Sequence, residues 1–401
     1  MTDLERLRTV RTADVYADEL VAGSLERTSD GSTAFAYRPD YLARADARPI
    51  ATTLPLTETA VVTPNGALPA FFAGLLPEGH RLTVLRRAVK TSASDEFTLL
   101  LAVGADTPGD VRVVPAGESP VAASALIDPA EPGSLDFRSL VDAVDTHAIP
   151  GVQDKASASM ISAPVSGRDG RYILKLSPAE YPHLVEDELL HLTAARGLRL
   201  PVAAARLVHD RNHVAGLLVE RFDRVHEGDR WRRLGLEDAT QVLGLPPAAK
   251  YTVSSEESVL GLAAVCRAPA VAVRAAYLQF AFAWLTGNGD LHAKNLSVLR
   301  PPGGAWSISP MYDVLCTLVY GDDSMALPLA GRTRGLKARH WAEFADAIGL
   351  PPRAAASANA LALTAASRVD LGTIGFEGSP LHRVERELRF RRAELDVGEM
   401  I

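Results

Sequence analysis

The sequence predicts an α+β fold of two lobes, a β-rich first half followed by a mostly helical second half. Three observations carry this. Residues 12–65 and 156–222 hold short apolar runs of strand length, punctuated by Gly, Pro, Asp and Ser turns. From Glu237 to Arg392 the apolar residues instead follow helical spacing. At 401 residues the chain exceeds one typical domain.

Taken in order, Val15–Ala17 and Leu20–Leu25 read as paired strands, with Ser32–Tyr37 as a third after the turn at Ser29–Gly31. Ala70–Leu76, Arg81–Val89 and Glu96–Val103 read as helices. Residues 105–135 are rich in Pro, Gly, Ala and Ser around a short strand at Val111–Val114, which marks a boundary or a loosely held connection. A short helix is expected at Phe137–Ala148, then a tight turn at Pro150–Lys155. Ala156–Ile161 and Arg171–Leu176 read as strands flanking the hairpin turn Ser166–Gly170. An amphipathic helix follows at Leu184–Arg196, with strands at Val202–Val208 and His213–Phe222. In the second half, Leu278–Leu285 is apolar nearly all round and reads as a buried helix, Leu296–Leu299 as a short strand, and Ala354–Ala366 as a helix. The expected units are 1–115, 135–225 and 226–401.

Composition narrows the function classes. A formal charge of −7 and a pI near 5.8 supply no global basic field for nucleic acid. Cys266 and Cys316 are the only cysteines, too few for a disulfide framework or a zinc cluster, and the ten histidines show no zinc spacing. The first residues are polar and charged, with no secretory signal, and no apolar run is long enough for a transmembrane helix. A cytoplasmic protein is expected, and Asn295-Leu-Ser297 is then an accidental sequon.

The chemistry concentrates in Asn288-Gly-Asp-Leu-His-Ala-Lys-Asn295 and in Asp313 eighteen residues later. A carboxylate, an amide five positions on and a second carboxylate suit phosphoryl transfer from ATP. The first orients the attacking hydroxyl, and the other two hold Mg²⁺ against the phosphates. Asp-x4-Asn resembles the catalytic loop of protein kinases, with Gly289 where an Arg usually precedes the Asp. Such a stretch taken alone is also an ordinary turn. Its position between a buried helix and a strand favours a preorganised site, because polar groups held there need partners or a ligand. His292, among these groups, suits hydrogen bonding more than metal ligation. Alternation along Arg171–Leu176 puts Ile173 and Lys175 on one face, opposite Tyr172, Leu174 and Leu176. Lys175 can then face a cleft and bind phosphates with Glu188 as its acidic partner, or else protect an edge strand. The Pro-Gly turn at 150–155 offers backbone N–H groups to phosphate oxygens, and Val219–Phe222 is where the chain crosses between lobes. A β-rich half, a helical half and chemistry at their junction make a bilobal protein-kinase-like plan.

Several of these stretches together resemble the HipA family of serine/threonine kinase toxins. They are Gly151-Val-Gln-Asp-Lys155, Tyr172–Leu176, Glu188, Val219–Arg224, Gly244-Leu-Pro, Lys250-Tyr251, Gly287–Asn295 and Tyr312-Asp313, in the family's order. Gly23, Phe35–Tyr37, Leu54–Leu56 and Leu75-Leu-Pro-Glu78 are similar to the family's N-terminal accessory region, so the likeness spans almost the whole chain. It implies a Mg²⁺- and ATP-dependent kinase, the toxin of a type II toxin–antitoxin system. The ATP-grasping turn would be Pro150, Gly151, Val152, Gln153, Asp154 and Lys155, the phosphate lysine Lys175, and the hinge Glu220, Arg221 and Phe222. Asp290 would be the catalytic base. Nucleotide contacts would fall on His292, Ala293, Lys294, Asn295, Tyr312 and Asp313, with Asn295 and Asp313 on the metal. The implied partners are a protein substrate such as an aminoacyl-tRNA synthetase and a HipB-like helix-turn-helix antitoxin, with DNA engaged only through the antitoxin and no membrane. The family's self-phosphorylated serine before the turn is missing. Thr146-His-Ala-Ile-Pro150 stands there, so Thr146 is the nearest hydroxyl and self-inactivation is not expected. Two other readings remain open. The Gly289–His292 stretch with Asn295 also resembles aminoglycoside phosphotransferases, which would make the substrate a small molecule, and a catalytically silent corepressor of a DNA-binding antitoxin is the third.

Overall fold

The computed structural model describes residues 4–120, 132–137, 160–166, 170–228 and 230–396. It is a mixed α/β architecture whose strand pairings within sheets are all antiparallel. Five strands build the first sheet: β1 (Thr12–Ala17), β2 (Leu20–Arg27), β3 (Thr33–Tyr37), β4 (Val61–Thr63) and β5 (Val111–Pro115), in the order β4-β3-β2-β1-β5. Along β1 the residues Ala13, Val15 and Ala17 are buried and alternate with more accessible ones, the period-two pattern of a strand with one covered face. Their core also takes Leu25, Phe35, Phe72 and Phe97, with Phe35 and Phe72 centroids 5.2 Å apart. The short strand expected at Val111–Val114, within a stretch read as a boundary or a loosely held connection, is present as β5, which pairs with β1 and forms an edge of the sheet.

The second sheet holds β6 (Ile161–Ser166), β7 (Arg171–Leu176), β8 (Ala205–His209) and β9 (Ala215–Glu220), in the order β6-β7-β9-β8. Leu174, Leu176 and Leu218 face Phe137 on one side. On the other side Leu217 and Val219 meet Leu184 and Val185 of the helix Leu184–Ala195. The alternation expected for 172–176 is therefore observed. The expected helix Phe137–Ala148, the turn at 150–155 and residues 156–159 lie outside the described residues, apart from Phe137 itself.

Two short sheets accompany the helices of the second half. One is the hairpin β10 (Arg224–Glu227) with β11 (Arg230–Arg233), and the other is β12 (Gly235–Asp238), β13 (Ser297–Arg300) and β14 (Ser307–Ile308). The sequence reading started helix at Glu237, but Glu237 lies in a strand opposite Val298. Its carboxylate accepts the Thr52 N–H and hydroxyl at 2.8 and 2.7 Å, so a contact from the first sheet's region helps fix this strand. The helix Pro269–Thr286 is the axis of the last unit. Tyr277, Phe280 and Phe282 are buried in it. Tyr277 stacks on Phe344, and the small residues Ala358, Ala362 and Ala365 of the helix Pro352–Ala366 join the same core. Among the described residues no helix is long and apolar enough to cross a membrane.

Burial raises the Glu237 carboxyl to about 7, against the pull of the two Thr52 hydrogen bonds. A folded-state pKa above the ordinary 4.5 means that its stabilisation is complete below that value and is lost as pH rises through 7. Glu237→Gln should therefore flatten the fall in melting temperature between pH 5 and pH 8. The upper limit of this contribution is about 3 kcal/mol. Parallel melting curves for the two proteins over that range would refute it.

Candidate active site

β7 delivers Lys175 into the space between the second sheet and the helical unit, where it meets two carboxylates. Its Nζ donates to both Glu188 oxygens at 2.8 Å and to Asp313 Oδ1 at 2.7 Å. Glu188 reaches it because it lies one turn on from Leu184 and Val185, on the helix face that they seat against the sheet. Burial opposes the charge on Lys175, but Asp313 and Glu188 outweigh it and hold the ammonium above its usual range. Burial likewise opposes ionisation of Asp313, yet Lys175 holds that carboxyl below its usual range. Glu188 is fully enclosed, and burial raises it to about 7. When Glu188 is ionised, two carboxylates on one ammonium leave a surplus negative charge, which a further cation would neutralise.

The loop beneath is pinned at every step. Gly287 closes the long helix with φ of 77°, a conformation that a Cβ disfavours. Thr317 Oγ1 accepts the Gly289 N–H at 2.7 Å, and Asn288 Oδ1 accepts the Asp290 N–H at 2.9 Å. Asn295 Nδ2 donates to Asp290 O at 3.0 Å and to Asp313 Oδ2 at 2.9 Å. Asp313 itself has φ of 56°, a left-handed conformation that costs a non-glycine residue free energy and that Asp tolerates better than most. The Tyr251 hydroxyl donates to Asp290 Oδ1 at 3.0 Å. His292 lies edge-on to Tyr251 at 5.1 Å, and burial lowers its pKa, so it is neutral at pH 7. Its Nδ1 is buried without a hydrogen-bond partner among the described residues.

A cleft of about 370 Å³ opens beside this cluster, with Lys175, Glu188, Lys294, Tyr312 and Asp313 in its lining. Ile173, Val219 and Phe222 add apolar surface, and Phe222 packs on Tyr312 at 5.5 Å. Tyr312 is held by its hydroxyl, which donates to Lys294 O at 2.8 Å and meets Ser297 Oγ at 2.6 Å. Asp290, His292, Ala293 and Asn295 lie next to this lining, joined to it through the Asn295–Asp313 bond. Asp313 and Asn295 are hard oxygen-bearing groups. Among the described residues no three His, Cys, Asp or Glu side chains form a metal cage. That donor set fits Mg²⁺, which is commonly held by one or two carboxylates together with substrate phosphates.

Glu220, Arg221 and Phe222 do line the cleft, but Arg221 has a second use that the sequence did not reveal. Its guanidinium reaches Asp106 at 2.9 Å and Asp223 at 3.1 Å, and Arg224 and Arg233 also pair with Asp106 at 3.0 Å. Burial would raise the Asp223 carboxyl, yet Arg221 and Arg224 hold it at about 2. The crossing between lobes is thereby tied to residues 106–109 of the first region. Leu75, Glu78, Arg81 and Asp106 of that region wall the cleft as well, and sequence reasoning missed all four. Leu75 and Glu78 fall in a stretch that carries the family resemblance, but their residue types and spacing assign them no place at the cleft. Pro150, Gly151, Val152, Gln153, Asp154 and Lys155 lie outside the described residues.

Comparison with known proteins agrees with this architecture. The model of the HipA-like C-terminal domain matches residues 147–369, and that of the HipA N-terminal domain matches residues 13–114. A Sinorhizobium fredii protein named "Putative kinase Y4mE" is 31% identical over 374 residues, 86% of this chain and 87% of the relative. The serine/threonine-protein kinase toxin HipA of Shewanella oneidensis is 29% identical over 85% of this chain and 84% of its own. Among solved structures, Shewanella oneidensis HipA in complex with HipB and operator DNA shares the fold. Its TM-score is 0.78 at 23% identity, over 97% of this chain and 99% of that one.

Proposed function

This chain belongs to the HipA family, and from that premise we propose that it is a Mg²⁺- and ATP-dependent serine/threonine protein kinase of the toxin type, acting in the cytoplasm. The observation that carries the proposal is the Glu188–Lys175–Asp313–Asn295 cluster, set beside a loop that fixes Asp290. Lys175 binds nucleotide phosphates, and Glu188 keeps its ammonium aimed at them. Asp313 and Asn295 would hold magnesium, which supplies neutralisation of phosphate charge. Asp290 orients the acceptor hydroxyl. The hydroxyl oxygen bonds to the γ-phosphorus as the bond to the ADP oxygen breaks, and the hydroxyl proton passes to Asp290 and on to solvent. Ile173, Val219, Phe222 and Tyr312 offer an apolar slot for the base of the nucleotide.

The units 1–115, 135–225 and 226–401 then serve as accessory region, nucleotide lobe and catalytic lobe. A helix-turn-helix partner of HipB type is the regulatory partner, by analogy with the Shewanella complex. A translation component such as an aminoacyl-tRNA synthetase is the protein substrate. Incubation with Mg²⁺, γ-labelled ATP and cell lysate tests the reading. A labelled protein band with phosphoserine or phosphothreonine is expected. Label found only in small molecules would replace the kinase with a small-molecule phosphotransferase, and no transfer at all would favour a silent corepressor.

A further inference from the structure

Residues 71–78 of the N-terminal region press against the catalytic lobe. Gln241 Nε2 donates to Phe71 O at 2.8 Å and Lys294 Nζ to Gly74 O at 2.9 Å. A Cβ on Gly74 would overlap the Gln241 side chain, so the approach is as close as glycine permits. At the end of this stretch Glu78 Oε2 takes Lys250 Nζ at 2.7 Å, and its other oxygen stands 3.9 Å from Lys294 Nζ. The residue after Lys250 is Tyr251, whose hydroxyl meets Asp290 Oδ1. Both lie in the single 3₁₀ turn Pro247–Tyr251, a short element that depends on outside contacts for its position. The Lys250 ammonium also sits 5.0 Å from the Tyr251 ring centroid, so the two side chains are packed as one unit.

We propose that Glu78 is a positioning residue for Asp290: through Lys250 and Tyr251 it fixes the Asp290 carboxylate, so that the N-terminal region completes the active site of the catalytic lobe. Asn288 and Asn295 hold the main chain of Asp290, whereas Tyr251 acts on the carboxylate itself. The phenol is a dependable donor, because burial and the charge of Asp290 keep it protonated. The Glu78–Lys250 pair is partly exposed, so it adds little to global stability and its removal leaves a folded protein. The inference rests on the kinase reading of Asp290. It also gives a contact made on the N-terminal region a physical route to the base.

The test compares Glu78→Gln, Lys250→Gln and Tyr251→Phe with the intact chain, using Mg²⁺, γ-labelled ATP and dephosphorylated casein as a generic acceptor. Each substitution is expected to lower kcat about tenfold while KM for ATP stays within about twofold. The Glu78→Gln/Tyr251→Phe double variant should be no slower than Tyr251→Phe, because both act through one chain of contacts. An unchanged kcat, a loss confined to KM, or losses that multiply in the double variant would overturn the proposal. Hydrogen exchange reads the same coupling without turnover. Glu78→Gln should speed exchange in residues 247–251 and 288–295 and leave 269–286 unchanged. Unaltered exchange in the two loops overturns the inference whatever the activity. Faster exchange there, with an intact chain that transfers no phosphate, would sink the kinase reading instead and leave the contact chain standing.

Discussion

Asp290→Asn is expected to bind Mg²⁺–ATP as well as the unsubstituted chain and to transfer phosphate on the order of 10²- to 10⁴-fold more slowly. The amide matches the carboxylate in size and still accepts the Tyr251 hydroxyl, and the main-chain bonds to Asn288 and Asn295 do not involve the altered atoms. What it loses is the ability to take a proton from an incoming hydroxyl. Single-turnover transfer from γ-labelled ATP, with nucleotide affinity measured alongside, checks this. Activity above about a tenth of the starting value would remove Asp290 from the role of base.

Asp313→Ala is expected to act on binding rather than on the chemical step. It takes away one of two carboxylates on Lys175 and the acceptor of the Asn295 amide. It also leaves Ala in a left-handed backbone conformation, which Ala adopts less readily than Asp. Glu188 remains on the Lys175 ammonium at 2.8 Å, so the buried cation keeps a partner and the fold should survive. Affinity for ATP in Mg²⁺ should fall at least about tenfold, roughly 1.4 kcal/mol, to the level seen in chelator. Titrations with and without Mg²⁺ provide the measurement. An intact chain and a variant with the same Mg²⁺ dependence would make Asp313 a structural residue.

What the sequence made legible was local. Alternation along Arg171–Leu176 placed Lys175 opposite Leu174 and Leu176, and the structure keeps that arrangement because each face meets its own apolar layer. Glu188 was legible because one helix follows directly from β7. The Asn288–Asn295 loop stood out because its polar residues are flanked by apolar ones. Contacts between distant segments were not legible. Nothing near Glu78 announces Lys250, and nothing near Asp106 announces Arg221, Arg224 and Arg233. The hairpin Arg224–Arg233 escaped for a related reason. It lacks apolar alternation and is fixed by ion pairs from the first region, which no periodicity records. Glu237 was assigned to helix since its strand is four residues long, and its partner strand begins at Ser297, far along the chain.

The most direct measurement is the phosphoproteome of cells producing the intact chain, set against cells producing Asp290→Asn at equal level. A kinase built around Lys175, Asp290, Asn295 and Asp313 predicts new phosphoserine or phosphothreonine on one or a few proteins, present with the intact chain and absent with the variant. Indistinguishable phosphoproteomes from two equally folded proteins would contradict it.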